Sequence, residues 1–196
     1  MAVDRKRVSE LVRELLEAIG EDPERPGLKL TPQRVADAYA EFFSGVGEDA
    51  AAPLAHTISV TRGPAPDTLP SGAVMLRDIR FRSVCEHHLL PFAGYAHVAY
   101  LPGEQVVGLG ALPKVIDILA ARPQVQERLG EQIADTIAGS IDTRGVLVVL
   151  DAVHECVTMR GGRQPSASTV TIAARGVFTE PADRAEAIAL LTGGRT

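Results

Sequence analysis

Near the start of the chain apolar residues return every three or four positions: Val8, Leu11, Val12, Leu15, Leu16 and Ile19. That spacing lays one apolar stripe along a helix, and Gly20 supplies its end. The next stretch, Glu21-Asp22-Pro23-Glu24-Arg25-Pro26-Gly27, is too polar and proline-rich for a helix or a central strand. Thr31-Pro32 then signals a second helix, with Thr31 as its cap and Pro32 at its first position. Val35, Tyr39, Phe42 and Phe43 line that helix and Gly45 closes it. Small and polar residues from Gly47 to Pro53 read as a loop. The pattern therefore predicts an N-terminal helical extension over 1–50 and a main domain over 51–196.

The main domain changes period. Ile79-Arg80-Phe81-Arg82-Ser83-Val84 alternates with period two, and Tyr95 to Leu101 reads as its partner strand, ended by the turn Pro102-Gly103. Val106-Val107-Gly108-Leu109-Gly110 lacks the third glycine and the strand–helix–strand setting of a dinucleotide site. Val115, Ile116, Ile118 and Leu119 predict a helix starting after Pro113. Val125, Leu129, Ile133, Ile137 and Ile141 predict a longer one closed near Gly145. Val146 to Val153 is a continuous apolar run, hence a buried strand, and Ser168 to Val177 is rich in β-branched residues, hence another. Pro181 opens a short last helix through Ala185, Ile188 and Leu191. Two helices, then β-β-α-α-β-β, then one helix, is an α+β order built on antiparallel hairpins.

Composition narrows the class. With 196 residues, 45% hydrophobic and 23% charged, the chain can bury a substantial core. A net charge of −5 argues against a general nucleic-acid binder. The basic start Met1-Ala2-Val3-Asp4-Arg5-Lys6-Arg7 has no apolar segment after it, and no run approaches the roughly 20 residues that span a bilayer. The expectation is a soluble cytoplasmic protein without nucleic-acid or membrane partners. Two cysteines make no disulfide framework, which leaves metal binding or catalysis for them.

Those cysteines carry the chemistry. Cys85 stands in Ser83-Val84-Cys85-Glu86-His87-His88-Leu89-Leu90-Pro91, and Cys156 in Ala152-Val153-His154-Glu155-Cys156. Each cluster sits at the end of an expected strand, so two strand ends meeting around one metal ion explains both. Zinc favours thiolate and imidazole, and its catalytic sites keep three protein ligands with one open position. Cys85, His88 and Cys156 fit that set, and bound zinc brings the pKa of a water towards about 7. His87 and His154 remain beside it as acid/base candidates. A closed structural zinc site, or two inert thiols, would need neither histidine. His56 and His97 lie outside both clusters and read as structural. On the residues alone Arg34 is a surface arginine or an anion contact, and Glu127 a solvated carboxylate.

Cys85-Glu86-His87-His88-Leu89-Leu90-Pro91-Phe92, His97-Val98-Ala99-Tyr100-Leu101-Pro102, Gln124-Val125-Gln126-Glu127-Arg128-Leu129 and His154-Glu155-Cys156 together resemble the GTP cyclohydrolase I family. Gly20-Glu21-Asp22-Pro23, Thr31-Pro32-Gln33-Arg34-Val35-Ala36 and Met159-Arg160-Gly161 extend the match from about Gly20 to Phe178 in the same order. The resemblance implies a tunnelling fold, an antiparallel sheet backed by helices, in a homodecamer whose active sites lie between subunits. It implies Zn2+ on Cys85, His88 and Cys156, catalytic His87 and His154, Glu127 on the guanine ring, and Arg34 and Arg160 on the triphosphate. It implies hydrolytic opening of the GTP imidazole ring at C8, with His154 protonating the ring nitrogen. Formate leaves, and rearrangement gives 7,8-dihydroneopterin triphosphate, on the way to pterins and tetrahydrofolate.

One segment departs from the family. Where Gly-Leu-Ser-Lys and, after two intervening residues, Arg are usual, this chain reads Gly108-Leu109-Gly110-Ala111-Leu112-Pro113-Lys114. Lys114 keeps a charge for the phosphates without the two-pronged fork of arginine. Arg163 is a neighbouring replacement. A lost charge-assisted contact costs about 1.5–3 kcal/mol. The expectation is GTP cyclohydrolase activity. The alternatives are a related purine-nucleotide cyclohydrolase with another phosphate preference or one that stops before ring closure, and a non-catalytic zinc-stabilised assembly protein.

Overall fold

Three strands of 12 residues each carry the architecture, and two of them end at Cys85 and His154. The computed structural model describes residues 3–59, 72–160 and 164–193. The chain divides into two compact units, Met1–Glu48 and Asp49–Thr196.

In the first unit α1 spans Arg5–Ala18 and α2 spans Thr31–Phe42. Asp4 caps α1, its carboxylate accepting from the Arg7 backbone N–H at 3.0 Å. Gly20, at φ +88°, turns the chain out of the helix as its pattern foretold. The second helix differs in detail. Thr31 is already helical, and the cap position falls on Leu30 with no side-chain bond. Pro32 in the first turn, where a missing N–H costs nothing, starts this helix without help from a hydroxyl.

In the second unit a five-stranded sheet has the order β5-β2-β3-β6-β7. Its strands are β2 Val74–Cys85, β3 Pro91–Pro102, β5 Pro123–Gln124, β6 Thr143–His154 and β7 Thr169–Gly176. All neighbours are antiparallel except the two-residue β5, which runs parallel to the end of β2. A separate ribbon pairs β1, Thr57–Ser59, with β4, Gln105–Val107. Helices α3, Ala111–Ala120, and α4, Gln126–Ser140, cover one face, and α6, Pro181–Thr192, packs on part of the other. The result is the expected α+β arrangement of an antiparallel sheet backed by helices.

Alternation divides the central strands between two cores. Phe92, Ala96, Val98 and Tyr100 of β3, with Val146, Val148 and Leu150 of β6, meet Leu112, Ile116, Leu129, Ile133 and Ile137 from the helices. Ala99 and Leu101, with Leu147 and Val149, meet Phe178, Ala187 and Leu191 on the other side. Coverage on both faces is why Val146 to Leu150 is continuously apolar rather than alternating. Each buried Val, Leu, Ile or Phe among them contributes about 1.5–3 kcal/mol by leaving water.

Several boundaries differ from the sequence pattern. Strand β2 begins at Val74, well before Ile79, because a bulge between Leu76 and Ile79 interrupts the alternation at Asp78, which has φ +57°. Helix α3 starts before Pro113 and takes that proline into its first turn. Helix α4 stops at Ser140, and Gly145 lies in β6. A Cβ there would come within 2.8 Å of Val177 Cγ2, so this glycine serves close strand packing and not a helix end. Short α5, Glu155–Thr158, follows β6 directly.

Candidate active site

Strand β2 ends at Cys85, and a tight turn returns the chain into β3 at Pro91. The Cys85 N–H donates to Leu90 O and the Leu89 N–H to Cys85 O, both at 2.8 Å. Leu89 takes φ +53° to close this loop, a conformation costly for a leucine. The Glu86 N–H donates to Gln124 O at 3.0 Å, tying the turn to β5. The Glu86 carboxylate takes both prongs of the Arg128 guanidinium, at 2.5 and 3.1 Å, tying it to α4. The same guanidinium holds the Glu86 carboxyl below its ordinary range. His87 and His88 are left exposed on the turn, their rings 6.3 Å apart and nearly perpendicular.

Strand β6 ends at His154, directly opposite Phe92 of β3. Their rings stack at 4.4 Å with 5° between planes. His154 Nε2 lies 2.7 Å from Gln126 Oε1. Burial pushes the His154 imidazole below its ordinary pKa, and the charge of Glu127, in the first turn of α4, works against that. The turn of α5 then presents Cys156. One ligand atom each from Cys85, His88 and Cys156 all lie within 4.8 Å of one another.

That donor set is the test of metal binding. Burial raises the Cys156 thiol and the neighbouring Cys85 raises it further, because two thiolates side by side repel. The charge of Arg160 pulls the other way. A divalent cation would remove the repulsion, and two sulfurs with one imidazole nitrogen suit zinc. Of the three, Cys85 is buried, Cys156 half-buried and His88 exposed. The residues fit the group.

Of the other residues singled out by sequence, Lys114 is exposed in the first turn of α3, and Arg160 is exposed just after α5. Arg34 belongs to α2 in the first unit. Arg163 and Gly161 lie outside the described residues. His56 is exposed, whereas His97 is buried, its Nδ1 accepting from the Asp78 N–H at 3.2 Å. Two contributors were not legible beforehand: Phe92, which fixes the plane of His154, and Gln126, which bonds its edge. Both stand inside stretches that resemble the family, which is the signal the sequence holds for them, but neither residue type announces a contact with His154.

The family model described as GTP cyclohydrolase I matches residues 8–192. A GTP cyclohydrolase 1 from Leifsonia xyli subsp. xyli is 63% identical over 191 residues, which is 97% of this chain and 97% of that one. One from Bacillus subtilis is 49% identical over 181 residues, covering 92% of this chain and 91% of its own length. A solved structure, the archaeosine synthase QueF-Like in the apo form, overlaps 54% of this chain and 94% of its own. Its TM-score is 0.43 and its identity 18%.

Proposed function

The chain belongs to the GTP cyclohydrolase I family, and from that premise we propose that it opens the imidazole ring of GTP by hydrolysis, releasing formate and forming 7,8-dihydroneopterin triphosphate. The observation that carries the reading is the meeting of Cys85, His88 and Cys156 within 4.8 Å, with His154 half-buried two residues before Cys156. Zn2+ held by those three residues would supply a Lewis acid and a water that ionises near neutral pH.

The chain's own residues do the rest. His154, held mostly neutral by burial, takes a proton and returns it to the purine ring nitrogen as the bond to C8 breaks. His87, exposed on the turn beside the ligand His88, serves the second proton transfer. Glu127 accepts two N–H groups of the guanine edge, and its charge already reaches His154. Arg160, Lys114 and Arg34 bind the triphosphate. Residues 51–196 form the catalytic domain and residues 1–50 an extension. The protein is cytoplasmic and assembles as a homodecamer with active sites between subunits. The outer edge of β7, which pairs with no further strand among the described residues, supports association, as do the exposed Val153, Val170 and Ile172 of β6 and β7.

A second reading keeps the ring opening and changes the phosphate preference, because Gly110 and Ala111 offer the phosphates no side-chain donor. One experiment separates the two. Zinc-loaded protein is given GTP, GDP, GMP and guanosine, and formate and oxidised fluorescent pterin are measured. A clear preference for GTP supports the first reading and removes the second. No formate from any of the four, with one zinc per chain, removes both.

A further inference from the structure

Gln126 is 1% exposed at the first position of α4, and its amide nitrogen has three neighbours. They are Thr169 O at 2.8 Å, Leu150 O at 3.2 Å and Thr171 Oγ1 at 3.2 Å. Backbone carbonyls only accept, so the NH2 end of the amide must face β6 and β7. Turning the amide over would set its oxygen against two carbonyl oxygens in a buried place, which costs the desolvation of all three. The amide oxygen is therefore the atom that faces His154 Nε2 at 2.7 Å. An amide oxygen cannot donate, so the imidazole must. In its neutral form His154 then carries its hydrogen on Nε2 and its lone pair on Nδ1.

We propose that Gln126 is a positioning residue that holds His154 in the Nε2–H tautomer, leaving Nδ1 as its lone pair for chemistry. The clamp has two jaws. The Phe92 ring, stacked at 4.4 Å, sets the plane of the imidazole, and Gln126 sets its rotation within that plane. The orientation of the glutamine is in turn fixed by two strands, so His154 is coupled to the sheet rather than to solvent. This rests on the reading of His154 as the proton carrier for its kinetic consequence, but not for the tautomer itself.

The test reads the tautomer directly. Solid-state 15N spectra of protein labelled at histidine, with and without zinc, are assigned at His154 by difference from His154→Asn. The expected signal is a protonated Nε2 and a bare Nδ1 in both samples. A protonated Nδ1 in the unsubstituted protein overturns the proposal, whatever the substrate proves to be. In Gln126→Leu, which keeps the bulk and removes the oxygen, both tautomers should appear. The kcat for GTP should then drop about a hundredfold, with KM moving less than about twofold. Gln126→Glu keeps an oxygen towards Nε2 and should retain the Nε2–H signal even if it is less stable. A Leu variant with an unchanged His154 spectrum also overturns the proposal.

Discussion

Gly110 and Ala111 stand where the sequence reading expects a serine and a lysine, and Gly110 has room for a side chain. A Cβ built on Gly110 meets nothing within 4 Å, and the backbone there is ordinary. Gly110→Ser with Ala111→Lys should therefore fold normally and lower KM for GTP by about tenfold to a hundredfold, the worth of one charge-assisted bond. Steady-state formate release measures it, and an unchanged KM would show that the phosphates are held elsewhere. Tyr100 makes a different point. It is fully buried, and its hydroxyl oxygen accepts from the Val107 N–H at 3.3 Å. Tyr100→Phe strands that N–H and should cost about 1–2 kcal/mol in urea unfolding at neutral pH. Burial also raises the Tyr100 pKa above its ordinary 10.0. The folded state thus holds this proton more tightly than the unfolded one. Its contribution is complete below about pH 10 and is lost as pH rises beyond, so the Phe variant should show a shallower alkaline decline.

Among elements, the pairing of β3 with β6 decides most, because it sets Phe92 opposite His154 at one end. Two residues from that end Gly94 faces Ala152, and a Cβ on Gly94 would lie 1.9 Å from Asp151 O. The obstacle is backbone, which cannot swing aside. Gly94→Ala should cost about 3 kcal/mol or more and lower the melting temperature by well over ten degrees. A variant as stable as the parent would mean that the two strands separate easily, and the precise opposition of Phe92 and His154 would lose its support. Strand β7 is held differently. Arg175 reaches across to α4, with Nε 2.6 Å from Asp135 Oδ1 and Nη2 2.5 Å from Glu131 Oε2. Those carboxylates are one helical turn apart, the spacing that lets both grip one guanidinium. This brace keeps β7 where Thr169 and Thr171 can receive Gln126.

At the scale of the whole molecule, core and candidate site adjoin. Cys85 belongs to the cluster around Leu129, Ile133, Ile137, Val148 and Tyr100 and Cys156 packs against it, while His88 is exposed at the rim of the sheet, so most of the core's apolar contacts do not depend on a metal. Chelation should abolish formate release and lower the melting temperature through lost binding energy, yet leave the far-ultraviolet circular dichroism in place. Added zinc should restore activity without refolding. Loss of secondary structure on chelation would make the metal a folding element instead. Light scattering of the intact protein checks the decamer: the chain mass is 20.8 kDa, so ten copies give about 208 kDa.

The chain alone determined its main helices, its antiparallel order and its candidate metal ligands, since each leaves a pattern in the sequence. Apolar spacing follows the period of the element that buries it, and zinc accepts few donor types, so Cys85, His88 and Cys156 stand out by identity. The bulge at Asp78 broke the alternation that would have announced the first half of β2. Gln126 stayed illegible for a stronger reason: its meaning comes from the carbonyls of Leu150 and Thr169, 24 and 43 residues away, and from Phe92 on another strand. Sequence singles out His154 as the candidate proton carrier. Which nitrogen it uses is decided only when three strands and a helix close around it, because a tautomer is set by its partner's position, and position is a property of the fold.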